Sequence, residues 1–346
     1  MGVHTCTPLK YTVFSMIEML ESGYRFHVQF HINNSCNLKC KHCYEGTQKG
    51  IQWNLDEFKQ AIDKLWSAFN KWGVQGEISL IGGEPTLHPE YDKFVDYLSN
   101  RGDVVSISIL TNGTRIDDRF IANTLKNKCA IQVSIDGIDE AHHDNIRGIG
   151  NYKKVTEGIK RLTANGIYPY VHYVISNDTI PLKDSFFDNL IDLGIKQISF
   201  SRLVPFGRAS IHDVLQPDEL KAVYDSLYEQ KIKYAQLGLN IMATRPLWCA
   251  YGYSGRCPVA IQTITILEDG TIMPCRRLPI SIGNIKKDSF YKVWYTNEVL
   301  NDLRERQNIK ICGNCQMLDL CGGARCVAYA ITGDYMSADP QCWLIR

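Results

Sequence analysis

Phe26-His-Val-Gln-Phe-His-Ile32, followed almost at once by Cys36-Asn-Leu-Lys-Cys40-Lys-His-Cys43, is the stretch that decides the fold. The first part is a short run rich in apolar residues and reads as a β-strand. The second is a C-x3-C-x2-C loop. A cubane cluster has four irons and normally takes one thiolate on each, so three cysteines leave one iron open to an exogenous ligand. A structural zinc site, with His42 or a remote residue as fourth ligand, is the competing reading. The loop's position after the first strand of a βα chain favours a functional centre, because barrel active sites lie at that face.

Outward from this stretch, short apolar runs alternate with segments of helical periodicity from Arg25 to Arg202. That is the βα pattern of a parallel sheet. Strands are predicted at Phe26 to Ile32, Ile78 to Ile81, Val104 to Leu110, Ile131 to Ile135, Tyr170 to Ile175 and Gln197 to Ser201. Helices are predicted from Leu55 to Lys71, with Asn54 as N-cap and Glu57 at the reciprocal capping-box position, and from about Tyr152 to Ala164, stopping at Asn165-Gly166. Six such units predict an α/β fold, a partial (β/α)6 TIM-like barrel with its chemistry at the C-terminal strand ends. A helix around Pro217 to Gln236 leads out of it. We expect an N-terminal extension over 1–24, the barrel over 25–236 and a small cysteine-rich domain over 237–346, organised by metal more than by an apolar core.

The 346 residues include 38 basic and 37 acidic side chains, a formal charge of +1. This balance carries no bias toward polyanions, so neither nucleic acid nor a membrane surface is expected as a partner. Met1 to Gly23 lacks the pattern of a secretion signal, and no apolar run approaches the ~18 residues of a membrane span. A cytoplasmic location is therefore expected. In a reducing compartment the 13 cysteines point to metal ligation rather than disulfides. Cys6 and Cys129 stand apart from the others and read as small buried side chains.

The last hundred residues hold Cys249, Cys257, Cys275, Cys312, Cys315, Cys321, Cys326 and Cys342. Eight thiols are enough to saturate two 4Fe-4S clusters. Two structural zinc sites remain the alternative, since Cys312-x2-Cys315 suits zinc as well as iron.

The spacing of Cys36, Cys40 and Cys43, with Tyr44 following, resembles the signature of the radical S-adenosylmethionine (radical SAM) superfamily. Gly82-Gly83-Glu84-Pro85, at the end of the second strand, resembles that family's GGEP segment. The C-terminal cysteines resemble its SPASM extension, although four residues separate Cys321 from Cys326 where the pattern usually has three. By this resemblance S-adenosylmethionine chelates the open iron, Glu84 and the adjacent backbone hold its amino group, and Asn112, Ser134 and Asp136 face its ribose and carboxylate, with Arg147 pairing with the carboxylate. Cys249, Cys257, Cys275 and Cys326 would hold a nearer auxiliary cluster, and Cys312, Cys315, Cys321 and Cys342 a farther one, three clusters in all.

The resemblance implies reductive cleavage of S-adenosylmethionine to a 5'-deoxyadenosyl radical, which abstracts hydrogen from a substrate, with flavodoxin or ferredoxin as electron donor. The SPASM extension points to a peptide or protein side chain. A tetrapyrrole side chain is the alternative, because Cys321-Gly-Gly and Ala328-Tyr-Ala-Ile-Thr-Gly-Asp334 also resemble enzymes that trim heme precursors. Sulfatase maturases carry an acid directly after the cysteine matching Cys275; Arg276 stands there in this chain and argues against that activity. The segment before Cys36 is short for a fused leader-binding domain, so a separate recognition protein, or direct recognition of a folded target, is expected. An electron-transfer or zinc-organised binding protein is the non-enzymatic alternative. No catalytic base can be named from the sequence.

Overall fold

The computed structural model describes residues 25–46, 50–180, 182–243, 245–253 and 257–345. Its centre is one ten-stranded sheet in the order β10-β9-β8-β1-β2-β3-β4-β5-β6-β7. The strands are β1 (Arg25–Asn33), β2 (Gln75–Gly82), β3 (Val104–Thr111), β4 (Ala130–Ser134), β5 (Tyr170–Ile175), β6 (Gln197–Arg202), β7 (Asn240–Ala243), β8 (Thr263–Ile266), β9 (Thr271–Met273) and β10 (Gly283–Asn284). Pairing is parallel from β8 through β1 to β7. β9 and β10 close the edge antiparallel.

All six predicted strands are present. Two further parallel strands extend the sheet past the expected boundary at residue 236: β7 pairs with β6, and β8 pairs with β1 from His27↔Thr263 to Phe30↔Ile266. The expected N-terminal extension over 1–24, and Cys6 within it, lie outside the described residues. Among the described residues no helix is long and apolar enough to cross a membrane.

The two faces of β1 have different surroundings. Phe26, Val28, Phe30 and Ile32 are buried in the apolar core. Phe26 meets Phe69 at 4.7 Å between ring centres, and Phe30 meets Phe58 at 4.9 Å. Both partners lie on helix α1 (Leu55–Trp72). The alternate residues point the other way, as pleating requires. There His27 Nε2 lies 2.7 Å from Ser79 Oγ, and Thr265 Oγ1 donates to Gln29 Oε1 at 3.4 Å. The inner face of the barrel is thus polar, suited to a cavity rather than a second core.

Asn54 caps α1, its Oδ1 accepting from Glu57 N at 2.9 Å. The carboxylate of Glu57, expected to complete the capping box, instead takes Lys286 Nζ at 3.0 Å and so reaches the C-terminal segment. Trp294, on helix Phe290–Thr296, packs against Phe26 at 4.9 Å. At the far side of the sheet a buried ion pair joins the last residue of β6 to the C-terminal loops, with Arg202 Nη2 2.8 Å from Asp339 Oδ2. The C-terminal residues are therefore built onto both sides of the barrel.

Candidate active site

The loop carrying Cys36, Cys40 and Cys43 leaves the end of β1 and is clamped from three sides. Asn112, just past β3, donates its Nδ2 to Asn37 Oδ1 at 2.9 Å. Lys41 N donates to Ile146 O at 2.9 Å. Arg208, after β6, donates Nε to Cys40 O at 2.8 Å and Nη1 to Gly46 O at 2.9 Å. Arg208 was not foreseen from the sequence, since its contacts are made to backbone carbonyls far away in the chain.

The three cysteines line one cavity at the C-terminal strand ends. Leu38 N donates to Cys36 Sγ at 3.4 Å, and Arg147 Nη1 lies 3.9 Å from Cys40 Sγ. Burial pushes the Cys36 thiol up to about 11, with Glu84, Cys40 and Cys43 adding to the shift. Burial likewise raises Cys40. Thiolates gathered here would repel one another, and a cationic iron centre is what would offset their charge. The donor set therefore fits a cluster held by three thiolates.

Gly82, Gly83, Asn112, Ser134 and Arg147, the residues expected to contact a cosubstrate, line the same cavity. A Cβ on Gly82 would run into the carbonyl of Asn33, and one on Gly83 into that of Ser35. Glycine is needed here because two backbones meet.

Glu84, Pro85 and Asp136 are placed differently from expectation. Glu84 is fully buried behind the cavity wall: Oε1 accepts from Thr111 Oγ1 at 2.8 Å and Thr86 Oγ1 at 2.7 Å, and Oε2 accepts from Asn112 N at 2.8 Å. Its carboxylate is spent tying the end of β2 to that of β3. Pro85 is buried at the start of the turn Pro85–Leu87. Asp136, also fully buried, accepts from Arg147 Nε at 2.6 Å, Val174 N at 2.7 Å and His42 Nε2 at 2.7 Å. Burial would push its carboxyl up, yet Arg147 and His42 hold it well below the usual carboxylate range. Asp136 thus positions the two side chains that flank the cysteines.

The same cavity is also lined by Glu45, His172 and Arg276. His172 lies on the lumen side of β5, where burial and the charge of Arg276 push its imidazole down to about 3. Strand parity could have singled out His172, but nothing local in the sequence brings Glu45 or Arg276 into the same cavity lining.

The C-terminal cysteines fall into two neighbourhoods. Burial raises the thiols of Cys257 and Cys326, with the neighbouring Cys275 adding to both and Arg277 lowering Cys326, so the three lie together. Cys342 is raised by burial, with Cys321 and Cys312 adding to it. Cys312 and Cys315 share a tight turn, Cys315 N donating to Cys312 O at 3.0 Å. Amides point at sulfur throughout this region: Arg277 N at Cys275, Met317 N at Cys315, and both Gly323 N and Leu247 N at Cys321. Leu247 takes φ +73 and Ile311 φ +60, left-handed conformations that side chains of their shape avoid, and both adjoin these cysteines. Cys249 departs from the expected grouping. It hydrogen-bonds with Cys321, which raises Cys249 and lowers Cys321, and so joins the farther neighbourhood. Cys129, read as a small core residue, is buried.

Comparison with known proteins agrees with this geometry. The family model of the radical SAM superfamily matches residues 30–184, and that of the SPASM iron-sulfur cluster-binding domain matches residues 257–316. Those domains imply binding of 4Fe-4S clusters and S-adenosylmethionine. The AdoMet-dependent heme synthase of Methanosarcina barkeri is 27% identical, over 91% of this chain and 95% of its own length. The mycofactocin maturase MftC of Mycobacterium ulcerans is 27% identical, over 94% of this chain and 90% of its own. The crystal structure of Streptococcus suis SuiB bound to the precursor peptide SuiA shares the fold, with a TM-score of 0.74 at 18% identity over 95% of this chain and 79% of that one.

Proposed function

For this chain, a radical SAM enzyme with a C-terminal SPASM domain, we propose hydrogen abstraction from a peptide or protein side chain, as a maturase that cross-links or otherwise oxidises a residue. The observation that carries the proposal is the shared cavity, which Cys36, Cys40 and Cys43 line together with Arg276 and His172.

In this reading Cys36, Cys40 and Cys43 hold the catalytic cluster. The backbone at Gly82 and Gly83, with Asn112, Ser134 and Arg147, holds S-adenosylmethionine. Asp136 keeps Arg147 and His42 in place. When bound, cluster and cosubstrate supply a reducing electron and a carbon radical able to take a hydrogen atom. The protein's part is to position and shield. Arg276 offers its guanidinium to an anionic group on the substrate, and His172, kept neutral, adds no competing charge. Cys257, Cys275 and Cys326 would hold the nearer auxiliary cluster, and Cys312, Cys315, Cys321 and Cys342 the farther, giving an electron leaving the substrate a route outward. Flavodoxin or ferredoxin is the expected donor, and a separate protein would recognise a leader peptide.

Similarity to the mycofactocin maturase over most of both chains supports the polypeptide reading. A tetrapyrrole side chain is the second reading, favoured by the heme synthase similarity. Arg276 suits a propionate as well as a peptide carboxylate. The test offers the anaerobically reconstituted enzyme a peptide encoded beside its gene and, separately, a propionate-bearing heme precursor, and follows mass change and deuterium transfer into 5'-deoxyadenosine. Turnover of the polypeptide is expected. Turnover of the tetrapyrrole with an unchanged polypeptide would replace the first reading by the second.

A further inference from the structure

A second group of ligand-type side chains lies beside the cavity and is unused by the iron-sulfur reading. His31, on the lumen side of β1, is fully buried. Glu45 comes from the segment after the cysteine loop, and Glu268 stands just past β8. One ligand atom from each lies within 4.8 Å of the other two. His31 Nδ1 is 3.0 Å from Glu45 Oε1. The approach is out of line for a hydrogen bond, however, and neither ring nitrogen of His31 has a hydrogen-bond partner among the described residues. The same holds for Glu268 Oε2. Its other oxygen is accounted for, accepting from Asn34 Nδ2 at 3.0 Å.

Buried polar atoms without partners each cost about 1–3 kcal/mol, and native structures rarely leave several in one place. Two carboxylates held together away from water also repel unless a proton or a cation stands between them. Burial would raise the Glu45 carboxyl, but His31 first and Arg276 after it lower it, so Glu45 has some charge compensation while Oε2 of Glu268 has no hydrogen-bond partner. A single cation among the three side chains would satisfy one of the two unpartnered imidazole nitrogens and the free oxygen of Glu268 and offset the paired negative charge.

We propose that His31, Glu45 and Glu268 form a mononuclear site for a divalent first-row cation, distinct from the cysteine-bound clusters. One imidazole nitrogen and two carboxylate oxygens suit zinc, manganese or ferrous iron, and the thiolate loops nearby offer softer ligands to the clusters. The ion would add a further tie among β1, the cysteine loop and the turn after β8, where β1 already pairs with β8 and Asn34 already reaches Glu268. Because Glu45 also lines the cavity, the ion would stand in its wall, with its remaining coordination positions available to an oxygen ligand.

The test uses full-length protein with reconstituted clusters, freed of loose metal on a chelating resin and titrated anaerobically with Mn(II). The free ion is counted by its EPR signal. Wild-type protein is expected to retain one Mn(II) per chain. Glu268→Gln, nearly isosteric, and His31→Gln are each expected to lose that equivalent while iron, sulfide and the visible cluster absorption stay at wild-type values. The variant that keeps its clusters decides if the other does not. Wild-type protein that leaves all Mn(II) free, or a cluster-replete variant that retains it as tightly as wild type, overturns the site.

Discussion

Arg147 and Asp136, from the helix and the loop that follow β4, form a buried ion pair at 2.6 Å, and the same carboxylate holds His42 of the cysteine loop at 2.7 Å. Asp136→Asn would leave the guanidinium buried without its counter-charge. Breaking a buried pair from one side typically costs about 3–5 kcal/mol. We expect a loss of that order in chemical denaturation, with weaker S-adenosylmethionine binding. Because the folded carboxyl titrates below its ordinary range, the pair's contribution is fully present above about pH 4 and is lost only in stronger acid. Wild-type stability and cosubstrate affinity in Asp136→Asn would refute the positioning role.

Gly83→Ala should be far more damaging than an alanine at Gly150, where a Cβ meets nothing within 4 Å. At Gly83 the new methyl would strike the Ser35 carbonyl, so β2's end must draw away from the cysteine loop. The expected result is reduced S-adenosylmethionine affinity by equilibrium dialysis, with auxiliary-cluster absorption retained. Gly150 takes φ +77, so its alanine variant is expected to lose a modest ~1 kcal/mol of stability and no affinity.

Replacing Cys36, Cys40 and Cys43 together by Ala is expected to abolish 5'-deoxyadenosine formation under dithionite and to lower iron from about twelve to about eight per chain. Zinc should not exceed about one equivalent per chain, the capacity of the site at His31, Glu45 and Glu268, in either protein. Since Cys249 adjoins Cys321 rather than the trio Cys257, Cys275 and Cys326, Cys249→Ala is expected to keep about twelve irons. Loss of about four irons in Cys249→Ala would return that residue to the ligand set.

His172 is held neutral by burial and by Arg276, its folded value of about 3 lying below the ordinary 6.5. Below pH 6.5 the unfolded chain takes up a proton that the folded chain refuses. Stability should therefore fall as pH drops from about 6.5 toward 3 and be unaffected by this group above neutrality. His172→Gln is expected to flatten that slope in urea melts at pH 5 and pH 7. An unchanged difference between the two pH values would show that other groups set it.

Sequence by itself determined the six central strands, the capped helices and the cysteine loop, because each is written in neighbouring residues: a short apolar run, a cap, a thiol spacing. It also marked Gly82, Gly83, Asn112 and Ser134 at strand ends and Arg147 at the end of a helix, all lining one cavity. Only the tertiary structure decided that β8 pairs with β1, that Glu84 and Asp136 turn inward as ties rather than into the cavity, and that Cys249 meets Cys321. It alone brought Arg202 to Asp339, and His31 and Glu45 to Glu268. These partners lie tens to hundreds of residues apart, and their meeting depends on how the sheet curves and where its strands pair. Periodicity and propensity act over one element, whereas burial, pairing register and the need to satisfy each buried charge are settled by the whole fold at once.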